Sequence, residues 1–115
     1  MCLIVFDWDP ERGRLLLLGN RDEFHARPST AFGPWPEAPR VYGGRDLAAG
    51  GSWLALGPRG RLAAVTNVRD LRNGRPPTAE KSRGGLVAGF VQSGDPAQVA
   101  ALAAVDARSA YGAFN

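Results

Sequence analysis

Two apolar runs near the N-terminus constrain this chain most. Cys2-Leu3-Ile4-Val5-Phe6 and Leu15-Leu16-Leu17-Leu18-Gly19 flank Asp9-Pro10-Glu11-Arg12-Gly13. β-Branched and aromatic residues on either side of a polar, Pro- and Gly-containing segment read as strand, turn, strand. Neither run alternates between apolar and polar positions. A strand that is apolar on both faces is expected to be covered on both faces. The hairpin is therefore expected inside a layered structure, with another sheet on one side and helices on the other.

The following segment, from Asn20 to Pro39, holds Pro28, Pro34, Pro36 and Pro39. Proline at that density disfavours a regular central element, so an ordered surface loop is expected. Gly43-Gly44 to Gly50-Gly51 is rich in turn residues. Ser52 to Gly57, the turn Pro58-Arg59-Gly60-Arg61, and Leu62 to Val68 predict a second hairpin. A polar loop over 69–81 follows. Ser82 is a candidate N-cap for a helix with Leu86, Val87, Phe90 and Val91 on one face. Gly84, Gly85 and Gly89 weaken that helix but permit close packing. Gly94 ends it, and Asp95-Pro96 opens an Ala-rich helix to about Ala107, with Val99, Leu102 and Val105 on its apolar face. Tyr111-Gly112-Ala113-Phe114-Asn115 reads as the opening of a further strand. Two antiparallel hairpins plus two helices make an α+β inventory, half of a helix–sheet–sheet–helix sandwich. The expectation is one domain over 1–115, truncated at its C-terminus.

Size and composition narrow the function classes. A chain of 115 residues with 44% hydrophobic and 22% charged content is globular. One cysteine excludes a disulfide framework within the chain. One cysteine and one histidine do not supply a zinc site of the usual spacing. No apolar run approaches the ~20 residues of a membrane span. The start lacks a basic n-region and meets acids at Asp7 and Asp9, unlike a secretory signal, so a cytoplasmic location is expected. The net charge of +3 comes from scattered arginines, which argues against a nucleic-acid stripe. One denser stretch holds Arg69, Arg72, Arg75, Lys81 and Arg83 against Asp70 and Glu80. It is either a solvated loop or a seat for a small anionic ligand.

Cys2 is the first candidate for chemistry. Processing removes Met1 when a small residue follows, which leaves Cys2 with a thiol and a free α-amine. The amine then serves as the base for its own thiol, and no histidine is needed. The competing reading is a small apolar residue opening a buried strand. Asn20-Arg21-Asp22-Glu23 ends the strand that a tight hairpin pairs with the strand of Cys2. Asp22 can orient the α-amine, and Arg21 can favour the thiolate as a nearby cation. Loop solvation and salt bridging are the alternative. Asn67, in Val65-Thr66-Asn67-Val68, either turns an amide N–H toward a developing oxyanion or makes a structural hydrogen bond. His25 has no second histidine or evident nucleophile beside it and reads as a loop residue. Trp8, Trp35 and Trp53 read as core or pocket wall.

The ordered set Met1-Cys2-Leu3-Ile4, Asn20-Arg21-Asp22-Glu23-Phe24, Arg27-Pro28, Gly43-Gly44-Arg45-Asp46, Gly50-Gly51-Ser52-Trp53-Leu54, Val65-Thr66-Asn67-Val68-Arg69 and Ser82-Arg83-Gly84 resembles the NRDE family. That family includes the transport and Golgi organisation protein 2 of animals. The resemblance covers the whole chain, and family members are about twice as long. It implies a fold similar to N-terminal-nucleophile hydrolases, an αββα sandwich of which this chain is the first half. It puts Cys2 at the nucleophile position of the bile salt hydrolase and penicillin V acylase group. Arg21 and Asp22 are then the nearest equivalents of the arginine and aspartate that attend that cysteine. Eukaryotic members are associated with secretory organisation, lipid and acyl-CoA metabolism and haem trafficking.

Three functions emerge as expectations. One is a cysteine amidohydrolase cleaving a carbon–nitrogen amide through a thioester, with Cys2, Arg21, Asp22 and Asn67 as catalytic residues and no cofactor. Another is a non-catalytic carrier of haem or an acyl-CoA-like amphipathic anion, with Arg69, Arg72, Arg75, Lys81 and Trp53 as the ligand seat. The third is an inactive fragment with a structural role. Expected partners are a small-molecule ligand or amide substrate and, through exposed apolar sheet, a second copy of the chain. Nucleic acid and a membrane span are not expected.

Overall fold

The computed structural model describes residues 2–67, 81–95, 97, 99, 100, 104, 111 and 114. Among the described residues the architecture is α+β, with antiparallel sheets and one continuous helix. β1 (Leu3–Asp9) and β2 (Arg14–Asn20) form a two-stranded sheet, paired from Leu3↔Asn20 to Asp9↔Arg14. The turn is closed at Arg12 by Asp9, whose carboxylate accepts the Arg12 backbone N–H at 3.1 Å and Nη1 at 2.9 Å. Those bonds, the backbone one first, hold the Asp9 carboxyl below its ordinary value.

A second sheet is a meander of β3 (Gly33–Trp35), β4 (Ala38–Gly43), β5 (Leu54–Gly57) and β6 (Arg61–Ala64). A short 3₁₀ turn, Pro58–Gly60, joins the last two strands. The Pro-rich segment expected as loop thus contributes β3 and the start of β4. It does so without violating proline's constraint. β3 is an edge strand, and β4 pairs with β5 only at Tyr42 and Gly43, so Pro34 and Pro39 occupy positions where no ladder N–H is required on one side.

Helix α1 (Gly84–Gln92) packs across β4, β5 and β6. Val87 and Val91 on its inner face meet Trp35, Val41 and Ala55, and these five residues are the core. Trp35 satisfies its indole N–H by donating to the Gly43 carbonyl at 3.1 Å. The N-cap is Arg83 rather than Ser82, and no side chain caps it; the Ser82 carbonyl instead accepts the Gly85 N–H. A Cβ on Gly51, at φ 76°, would lie 2.2 Å from the carbonyl carbon of Gly84. Glycine there lets the 50–52 loop touch the start of α1, where Ser52 N–H donates to Gly84. Beyond α1, Asp95 accepts the Ala97 N–H at 3.1 Å through Oδ1, the expected cap, and Ala97, Val99, Ala100 and Ala104 are helical. Leu102, Val105 and Pro96 lie outside the described residues. Near the end of the chain, Phe114 pairs with Asn67 and Tyr111 with Lys81.

The first hairpin is not covered as its apolar runs predict. Phe6 is 68% exposed, Leu18 63%, Leu3 59%, Leu16 56% and Trp8 54%. A two-stranded ribbon hides little of its own faces. Helix α1 lies on the other sheet, and among the described residues no layer lies over the hairpin. Trp8 is accordingly not core. No helix among the described residues is long and apolar enough to cross a membrane.

Candidate functional site

The open end of the first hairpin meets the second sheet at a cavity of about 580 Å³. Cys2 and Ile4 enter from β1, and Leu17, Gly19 and Asn20 from β2. Arg21, Asp22 and Glu23 come directly after. The opposite wall is Ser52, Trp53 and Leu54 with Val65, Thr66 and Asn67, and Lys81 to Gly84 close the third side. The hairpin register explains the first group. Leu3 pairs with Asn20, so one step further carries half-buried Cys2 toward Arg21. Directly paired residues share a face, which puts Cys2, Ile4, Leu17 and Gly19 on the cavity side.

The four residues expected to be catalytic, Cys2, Arg21, Asp22 and Asn67, all line this cavity, and so do Trp53 and Lys81. Arg69, Arg72 and Arg75 lie outside the described residues. Trp53 is half-buried, and one face of its ring is occupied by Arg21, whose guanidinium carbon lies 4.3 Å from the ring centroid. Lys81 is exposed at the rim, with Nζ 5.7 Å from the Tyr111 ring centroid. His25 is exposed and away from the cavity. Among the described residues no group of three or more His, Cys, Asp or Glu side chains could hold a metal ion.

A row of alternating charges borders the cavity. Arg21 Nη2 donates to Glu23 Oε2 at 3.3 Å, Arg27 Nε lies 3.7 Å from the same oxygen, and Arg27 Nη2 donates to Asp46 Oδ2 at 2.9 Å. Asp46 is anchored through Oδ1 by the N–H groups of Ala48 and Ala49, both at 3.0 Å. Burial pushes the Asp46 carboxyl up, but the Arg27 hydrogen bond and the two backbone N–H groups outweigh it, so it sits below its ordinary value. Donation to the Asp46 carboxylate raises Arg27 in turn. The Arg27–Asp46 pair was not among the expected site residues. Nineteen residues separate the two in sequence, so no periodicity links them. The only signal was their presence in two separate motifs, Arg27-Pro28 and Gly43-Gly44-Arg45-Asp46.

The family model of Transport and Golgi organisation 2 matches residues 1–115. The chain belongs to this family. It is 39% identical over 124 residues to the Transport and Golgi organization protein 2 homolog of Bos taurus, covering 100% of this chain and 44% of that protein. The Mus musculus homolog is 40% identical over 101 residues, 81% of this chain and 36% of its own length. The Drosophila melanogaster protein is 38% identical over 102 residues, 83% and 36% respectively. The chain thus spans less than half the length of these relatives. The resemblance carried by the motifs and the family match agree.

Proposed function

We propose that this chain carries the nucleophile end of a cysteine amidohydrolase with an N-terminal-nucleophile-hydrolase-like fold. The observation that supports the reading is the convergence of Cys2, Arg21, Asp22 and Asn67 on one cavity. Removal of Met1 would give Cys2 a free α-amine. That amine accepts the thiol proton while Sγ attacks the amide carbonyl carbon, and Asp22 orients the amine. The carbonyl oxygen gains charge in the tetrahedral intermediate, and the Asn67 amide donates to it. Collapse breaks the C–N bond. The α-amine returns the proton to the leaving nitrogen, and a thioester remains on Cys2. Water then attacks that thioester, releasing a carboxylic acid and restoring the thiol.

Intact mass of the purified protein, with and without a thiol-reactive acylating probe, tests this. Loss of the Met1 mass and one added acyl group on native protein are expected. Retained Met1 blocks the amine and overturns the proposal. Cys2→Ser retains the fold but loses the label.

A second reading, carriage of haem or an acyl-CoA-like anion, is favoured by the mixed lining. Ile4, Leu17, Leu54 and Val65 are apolar, while Lys81 and Arg83 add positive charge. Haemin binding should then weaken several-fold when Arg69, Arg72 and Arg75 are neutralised together, and should fall as salt rises. Unchanged affinity overturns that reading. The relatives' names refer to transport and Golgi organisation. A role of that kind for this chain belongs with the carrier reading.

A further inference from the structure

We infer that Trp53, seated against Gly44, is a positioning residue that holds the Arg21 guanidinium at the Cys2 cavity. This inference rests on the cysteine-nucleophile reading and names a device that serves it. Arg21 comes just after the last residue of β2, at a chain position where a long side chain has many rotamers. Two contacts remove that freedom. The Trp53 ring lies under the guanidinium, at 4.3 Å from ring centroid to Cζ, and Glu23 accepts from Nη2 at 3.3 Å. Glu23 is itself fixed, because its Oε1 accepts the Phe24 backbone N–H at 3.0 Å.

The indole is held as firmly. Its backbone carbonyl accepts the Val65 N–H at 3.0 Å, which ties it to the strand end beside Asn67. Its neighbour Ser52 is 1% exposed and donates Oγ–H to the Leu54 carbonyl at 2.8 Å. A Cβ on Gly44 would lie 2.5 Å from Cη2 and 2.6 Å from Cζ2 of the ring. Any side chain at position 44 would therefore displace the indole. A guanidinium stacked on a ring keeps its N–H donors in the plane, free of the ring and available to an anion. An ammonium lacks that planar geometry, so Arg21→Lys does not replace it. The arrangement fixes the Arg21 guanidinium, with Nη2 shared with Glu23, on the side from which Cys2 enters.

The test compares alkylation of Cys2 by iodoacetate, an anion, and iodoacetamide, its neutral analogue, in native and urea-unfolded protein, read by mass spectrometry. In each case Sγ displaces iodide and the thiol proton passes to solvent. A cation held at the site raises the iodoacetate rate relative to iodoacetamide in the native state. Trp53→Leu should lower that ratio by about fivefold, the size of one exposed cation–π contact. Trp53→Phe keeps a ring face and should restore most of it. Gly44→Ala should behave like Trp53→Leu. Loosening of the fold would itself move the ratio toward its unfolded value, so the ratios are compared among variants whose melts match wild type, where the ratio reads the position of the charge. If Arg21→Lys lowers the ratio and Trp53→Leu does not, this inference fails while the nucleophile reading stands. A Trp53→Phe variant as impaired as Trp53→Leu also overturns it. If native wild-type protein reacts no faster than unfolded protein with either reagent, both fall together.

Discussion

The two sheets make an instructive contrast. β1 and β2 carry the most continuous apolar sequence in the chain, yet most of their large side chains are exposed. The meander β3–β6 is broken by prolines, glycines and arginines, yet it buries Trp35, Val41 and Ala55 almost completely under Val87 and Val91. Apolar content therefore does not decide burial here. A covering layer does, and helix α1 supplies one only to the meander. Each large apolar side chain fully buried contributes roughly 1.5–3 kcal/mol. The stability of the described fold accordingly resides in the second sheet.

Substitutions in the two regions test that contrast directly. Trp35→Ala should cost about 3–5 kcal/mol, because it empties the core and removes the hydrogen bond to Gly43. Phe6→Ser should change stability by no more than about 0.5 kcal/mol. Urea denaturation of the two variants measures the difference. A cost for Phe6→Ser approaching that of Trp35→Ala would mean that something covers the hairpin in solution.

A pair of glycines sharpens the same comparison. Gly13 in the hairpin turn has φ 58° and open space around it, whereas Gly51 has φ 76° and touches Gly84. Gly13→Ala should cost about 1 kcal/mol from left-handed backbone strain alone. Gly51→Ala should cost on the order of 3 kcal/mol, because α1 must also move away from the 50–52 loop. Thermal melts that rank the two variants in the opposite order would break the contrast.

An uncovered apolar ribbon also favours association of this chain with itself. Sedimentation should show concentration-dependent dimers or larger species. Replacing Phe6, Leu16 and Leu18 together by Ser should weaken association by about tenfold or more while leaving the melt of the meander unchanged. A monomeric wild-type chain at high concentration would contradict this.

The smallest effect concerns acid. The folded-state carboxyls of Asp46 and Asp9 both lie below their ordinary value of 3.8. A depressed carboxyl adds stability at pH values above its unfolded value and loses it as pH falls through the folded value. Stability should therefore decline as pH drops below about 4, and Asp46→Asn should flatten that decline. Asp9→Asn should flatten it less, since Asp9 and Arg12 form an exposed pair in the hairpin turn. Denaturation midpoints between pH 5 and 2.5 provide the check, and equal slopes in Asp46→Asn and wild type would remove Asp46 from the account.

The local elements were legible in the chain because their causes are local. Asp9-Pro10 to Gly13 between apolar runs gives the first hairpin and its register. Pro58 to Arg61 gives the second turn, four apolar positions at helical spacing give α1, and Asp95 caps the helical residues that begin at Ala97. The hairpin register was also enough to bring Cys2 beside Arg21. The features that the chain alone did not reveal depend on contacts distant in sequence. β3 and β4 arise inside a proline-rich segment because sheet edges leave N–H positions that proline can occupy. The Arg27–Asp46 pair, the stack of Arg21 on Trp53 and the approach of Gly51 to Gly84 join segments that no periodicity connects. Exposed apolar sheet was expected of the chain; that the exposed sheet is the first hairpin and not the meander was decided in three dimensions. The pattern of a strand records which faces can be buried, whereas burial itself requires a second element to lie against them.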